Sequence, residues 1–187
     1  QIDVLECTAD YVPIGIAAGA DTRLVAFGAP AYGVDHIVLA GGVEEADLAG
    51  KRIATAQGTV GHLLVGVWLE SIGVPVDSIE IVNLQPDEAV GPMLSGALDG
   101  AWLYEPWIGQ VLGDLEGARS VAQNDEPRFL QEGIFTDVVF MNADFIAERR
   151  DAALAVLKAR FDAVGWWNEN TNAGNAFFAD RLGWSVA

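Results

Sequence analysis

The sequence predicts an α/β fold, and three observations carry that prediction. Short β-type apolar runs recur along the 187 residues, helix-type stretches with apolar residues three and four apart lie between them, and glycine or proline marks most of the joints. Strands alternating with helices in this way imply parallel β-α-β units. On such sheets ligands gather at the carboxyl ends of strands and the amino ends of the helices that follow.

Residues 2–5 read as a strand and residues 10–18 as a short helix opened by an acidic cap, Asp10. Strands are expected over residues 23–27 and 36–40, with a turn of helix over 44–48 and a strand over 52–56. Gly58-Thr59-Val60-Gly61 follows at once. Thr59 stands where a cap belongs, and Val60, Leu63, Leu64, Val67 and Trp68 recur with helical spacing as a core-facing stripe. Gly73 and Pro75 stop that helix. A strand over 79–82, a helix over 87–94, a strand over 101–103 and a helix opened by Pro106 come next. A strand over 138–141 precedes the longest helix, 150–167, which carries Leu154, Leu157, Phe161 and Val164 on one face; a last helix starts at Thr171.

Composition excludes several classes of function. Acidic residues outnumber basic ones 27 to 10, a formal charge of -17, and the only lysines are Lys51 and Lys158. No basic patch can gather phosphates, so a nucleic-acid partner is not expected, and an anionic membrane would repel the chain. No apolar run is long enough to span a bilayer. Cys7 is the only cysteine, so no internal disulfide forms. Neither histidine, His36 or His62, has a partner at metal-ligand spacing, and no nucleophile elbow or carboxylate pair marks an enzyme. Neither a metal nor a cofactor is expected.

Three groups of residues point to ligand binding. In the strand-to-helix turn, Gly58, Thr59, Val60 and His62 open a helix whose free amides and dipole favour an anionic group, and Gly58 and Gly61 permit close backbone approach. An ordinary strand-to-helix turn would carry the same residues. In Trp102-Leu103-Tyr104-Glu105-Pro106-Trp107, aromatic rings surround one carboxylate, which suits an ammonium or a flat ring; a core edge with Glu105 at a helix start would look alike. Asp10-Tyr11 and Thr136-Asp137 each put an acid at the end of a sheet element, where caps and turn residues also occur.

The stretch Asp47-Leu48-Ala49-Gly50-Lys51-Arg52-Ile53-Ala54 followed by Gly58-Thr59-Val60-Gly61-His62 resembles the signature of the nitrate/sulfonate/taurine group of ABC-importer solute-binding proteins. The resemblance continues through Val82-Asn83-Leu84-Gln85-Pro86, Leu94-Ser95-Gly96-Ala97-Leu98-Asp99-Gly100, Tyr104-Glu105-Pro106-Trp107 and Phe135-Thr136-Asp137-Val138-Val139-Phe140. It implies a type II periplasmic-binding fold, two α/β lobes joined by two crossover strands, here residues 36–40 and 137–141. Residues 42–134 would form one lobe, and residues 1–41 and 135–187 the other. The family's first strand and helix have no counterpart, and the chain reads as truncated at both ends.

Carried over by position, the resemblance implies cleft contacts from Asp10, Tyr11, Tyr32, Gly58, Thr59, Val60, His62, Tyr104, Glu105, Trp107 and Asp137, with Thr59, Glu105 and Asp137 facing one crevice. The Asp10-Tyr11 pair departs from the small hydroxyl pair common there, and tilts the expectation towards a taurine-like aminosulfonate or a small organic amine. The resemblance further implies a monomeric, non-enzymatic receptor in the periplasm or outside the cell, lipid-anchored in its full-length form, that serves a membrane permease. Three alternatives stay open: the same fold binding a pyrimidine-type thiamine precursor or other flat heterocycle, an enzyme built around His62 and Glu105, and a sensor domain fused to a regulator.

Overall fold

A computed structural model of the chain describes residues 2–130 and 135–183. In chain order the elements are β1 (Val4–Thr8), α1 (Tyr11–Ala17), β2 (Thr22–Pro30), β3 (His36–Leu39), β4 (Arg52–Ala54), α2 (Val60–Ser71), β5 (Glu80–Val82), α3 (Pro86–Leu94), β6 (Gly100–Leu103), α4 (Trp107–Asp114), β7 (Arg119–Gln123), α5 (Pro127–Leu130), β8 (Thr136–Asn142), α6 (Ala143–Glu148), α7 (Arg150–Glu169) and α8 (Thr171–Leu182). Single turns of 3-10 helix occupy Glu45–Asp47 and Val76–Ser78. The expected alternation of strands and helices is present. The first strand lies two residues later than its apolar run suggests, and β7, α5 and α6 are not expected from the sequence.

The chain divides into two units, Leu5–Phe140 and a smaller one made of Gln1–Val4 with Met141–Ala187. The larger unit is built on a five-stranded sheet of order β5-β4-β6-β3-β7 and holds most of a three-stranded sheet of order β1-β8-β2. In the five-stranded sheet β4 runs parallel to β5 and β6, as the β-α-β pattern requires, whereas β3 runs antiparallel to β6 and β7. The sheet is therefore mixed, a correction to the expectation of parallel strands: β3 runs against both of its neighbours.

Alternation along the strands divides the core into two layers. Ile37, Leu39, Ile53 and Trp102 face one side, where Leu64, Val65, Trp68 and Leu69 of α2 cover them. Val38, Ala54, Ala101 and Leu103 face the other, under Ala89, Val90 and Met93 of α3 and Ile108 and Val111 of α4. Gly100 in β6 is required by this packing, since a Cβ there would stand 2.7 Å from Leu39 Cδ2 and 2.9 Å from Ile53 Cδ1. α3 opens with a reciprocal capping box between Gln85 and Glu88.

In the smaller unit, α6 is capped by Asn142, whose Oδ1 accepts from the amides of Asp144 and Phe145. The expected long helix is present as α7; on its apolar face Leu154, Phe161 and Val164 are exposed, and only Ala153 of that helix is buried. Helical spacing establishes the helix without specifying what its apolar face meets. Gly183, in the left-handed region at φ 70°, ends α8.

Candidate functional site

A cleft of about 590 Å³ opens in the larger unit between α1 and α2. Ala9, Asp10, Pro13 and Ile14 form one wall, and Gly58, Thr59, His62, Leu63, Gly66, Val67 and Glu70 the other. The lining is mainly apolar, with polar groups at Asp10, Thr59 and His62 and a carboxylate at Glu70. It includes no lysine or arginine.

The floor of the second wall comes from the turn between β4 and α2. Gly58 adopts φ +76°, a conformation that L side chains rarely reach. Its amide donates to His62 Nδ1 at 3.3 Å, which leaves the ring hydrogen on Nε2. Thr59 occupies the cap position, but its hydroxyl donates to the Ala56 carbonyl at 2.7 Å and makes no cap bond. The expected threonine cap is thus corrected, and the first amides of α2 have no side-chain cap. Gly61 is also corrected: a Cβ there would lie 2.0 Å from the Trp102 ring, so this glycine admits an indole, with no bearing on ligand approach.

On the first wall Asp10 takes the cap position of α1 without a side-chain cap bond, because its own backbone is already helical. Its Oδ1 is buried without a hydrogen-bond partner. Its charge acts on its neighbours. Burial, with Asp10 and Asp137 nearby, pushes the Cys7 thiol up to about 11. Burial, then Asp10 and Cys7, also raises the Tyr11 phenol.

A third acid, Asp35, is absent from the sequence reading. It is 4% exposed, and its Oδ1 accepts from Trp102 Nε1 at 2.8 Å and its Oδ2 from Asn124 Nδ2 at 3.0 Å. Burial raises its carboxyl to about 6; the Trp102 hydrogen bond opposes the rise, and Asp137 and Asp10 add to it. Asn124 Oδ1 accepts from the amides of Gly33 and Val34, so Asp35 and Asn124 together pin the segment before β3.

Of the residues singled out by sequence, Asp10, Gly58, Thr59 and His62 line the cleft, and the other seven do not. Tyr11 begins α1 and is half-buried, and Val60 begins α2 packed against the core. Tyr32 is exposed ahead of β3. The aromatic and acidic residues of 102–107 do not form one cluster: Trp102 and Tyr104 pack on one side of the sheet, and Trp107, the first residue of α4, on the other. Glu105 Oε2 accepts from the Gly109 amide at 3.2 Å, serving the start of α4. The shared crevice expected for Thr59, Glu105 and Asp137 thus contains only Thr59 in its lining, and Asp10 is the acid opposite it. Leu63, Gly66, Val67 and Glu70 were not anticipated as lining. Their i, i+3, i+4, i+7 spacing beside the buried stripe was the available signal. Among the described residues, no three His, Cys, Asp or Glu side chains are grouped to hold a metal ion, and no helix is long and apolar enough to cross a membrane.

Comparison with known proteins adds family and fold. A model of the NMT1-like family matches residues 32–179. The chain is 31% identical over 123 residues to the taurine-binding periplasmic protein of Escherichia coli strain K12, covering 63% of this chain and 35% of that protein. The alkanesulfonate-binding protein SsuA from Xanthomonas axonopodis pv. citri, solved bound to MOPS, superposes with a TM-score of 0.81 at 23% identity over 98% of this chain and 63% of its own. The desulfurization enzyme DSZB superposes with a TM-score of 0.67 at 20% identity, over 97% and 67%. The fold is thus that of the SsuA-type periplasmic binding proteins, as the resemblance implied. The curated relatives are longer than this chain, and the matches span between 27% and 54% of their length.

Proposed function

Because the chain belongs to the NMT1-like family, we propose that it is the ligand-holding part of the solute-binding component of an ABC importer, acting in the periplasm with a membrane permease. The ligand is a taurine-like aminosulfonate or a related small organic amine. Residues 42–134 make one lobe of the receptor, and residues 1–41 with 135–187 the other.

One observation carries the ligand class: Asp10 lines one wall of the cleft, and the other wall begins with the side-chain-uncapped start of α2. An ammonium offsets the charge of Asp10. A sulfonate meets the start of α2 at Thr59 and His62, at the positive end of the helix. The taurine-binding relative supports the same class.

The chemistry favours binding over turnover. A thiol at about 11 is almost entirely protonated at neutral pH and is no nucleophile. Glu105 is bonded to its own helix and does not share the cleft lining with His62, so the pair an enzyme would need is not assembled there. The flat-ring alternative is weakened because Trp102 is buried under Gly61 and bonded to Asp35.

A thermal-shift screen with taurine, alkylsulfonates, nitrate, choline-like amines and pyrimidines tests this reading. At a hundred times its dissociation constant a ligand adds about 2.7 kcal/mol, a rise of about 5–10 °C for a chain of this size. Taurine or an amine should give that rise. A response to nitrate or pyrimidines alone, or to none of the panel, contradicts the proposal.

A further inference from the structure

We infer that the ligand carries an apolar body lying along α2, and that Gly66 sets the length this body can reach. The inference rests on the reading of the cleft as the ligand site and deepens it. The volume of about 590 Å³ is that of a site for a drug-sized molecule, several times what taurine fills. The cleft does not end at the polar group of Asp10, Thr59 and His62. It continues past Leu63, Gly66 and Val67 to Glu70, about 16 Å along the helix axis from Thr59 at 1.5 Å per residue. Past its polar start this stretch offers apolar surface and glycine until the Glu70 carboxylate, so charge complementarity places the charged head at Asp10 and an uncharged tail beyond it.

Gly66 stands about 10 Å from Thr59 on that path. A Cβ built there meets nothing within 4 Å, whereas one at Gly61 in the same helix would strike the Trp102 ring at 2.0 Å. Core packing therefore does not require glycine at 66, and Gly within a helix is disfavoured relative to alanine. Its lack of a side chain does one visible thing: it keeps the middle of the cleft open.

N-alkyltaurines test this. They keep the sulfonate and protonated amine and extend an alkyl tail from methyl to octyl. Calorimetric titration should show affinity rising about fourfold per methylene, the value for a buried CH₂, and levelling off as the tail passes position 66. In Gly66→Leu the gain should stop at a shorter tail, so the loss relative to the unaltered protein grows with chain length; Gly66→Ala should give a smaller loss of the same kind. Unliganded melting temperatures at or above that of the unaltered protein establish that both variants fold. Taurine binding with no gain along the series, or a gain equal in all three proteins, overturns the role of Gly66 and leaves the aminosulfonate reading standing. No binding by taurine or any member overturns both.

Discussion

The indole of Trp102 donates to the carboxylate of Asp35 at 2.8 Å, and the face of the same ring lies against the backbone of Gly61. One side chain thus joins a buried acid of the segment before β3 to the start of the helix that forms a cleft wall. Replacing Trp102 with Phe keeps an aromatic ring but strands Asp35 Oδ1 and leaves a void. The expected cost is about 2–4 kcal/mol, read as a lowered midpoint in urea with little change in slope.

Asp35 also makes stability depend on pH. Its carboxyl titrates near 6 in the folded chain against 3.8 in the reference state, so between these values the folded state holds more protons than the unfolded one. Stability contributed by this group is complete below about pH 4 and is lost as pH rises towards 6, by on the order of 2–3 kcal/mol. Urea titrations at half-unit steps should show that decline, and Asp35→Asn should flatten it.

Gly61 and Gly66 lie five residues apart in α2 and should respond oppositely to the same change. Gly61→Ala forces a Cβ into the Trp102 ring and should cost about 1–3 kcal/mol. Gly66→Ala meets open space and should stabilise by about 0.5–1 kcal/mol. Equal effects in chemical denaturation would contradict this account of the helix start.

Cys7 should be a sluggish thiol. At about 11 instead of 9.0, its thiolate fraction at pH 8 is lower by about a hundredfold, since each unit is tenfold. Alkylation by iodoacetamide at pH 8 should run slower than in the unfolded chain by a comparable factor, and should speed up in Asp10→Asn, which removes one of the charges that raise the thiol.

The sequence made local features legible and left non-local ones hidden. The β4-turn-α2 unit announces itself through Gly58, Thr59 and the apolar spacing, all within a dozen residues. Asp35, by contrast, looks like a turn residue between Val34 and His36, because the groups that make its burial possible, Trp102 and Asn124, are 67 and 89 residues away. β7 is hidden because only Val121 and Ala122 of Arg119–Gln123 are apolar, and pairing with β3 makes it a strand. The 102–107 stretch misled for a related reason. Trp102 belongs to β6 and Trp107 to α4, which covers the opposite face of the sheet, so closeness in sequence hid their separation. Leu63 and Val67 belonged to a stripe read as core, yet the buried set is Gly61, Leu64, Val65, Trp68 and Leu69. That shift around the helix turned two supposed core residues into cleft wall.

Whether Asp10 receives the positively charged end of the ligand is read by calorimetric titration of taurine into the protein and its Asp10→Asn variant. Binding should be saturable and weakened at least tenfold by the substitution, about 1.4 kcal/mol. The unliganded melting temperature of the variant should hold or rise, because the substitution relieves repulsion with Asp35. Equal affinity in the two proteins would contradict that role of Asp10.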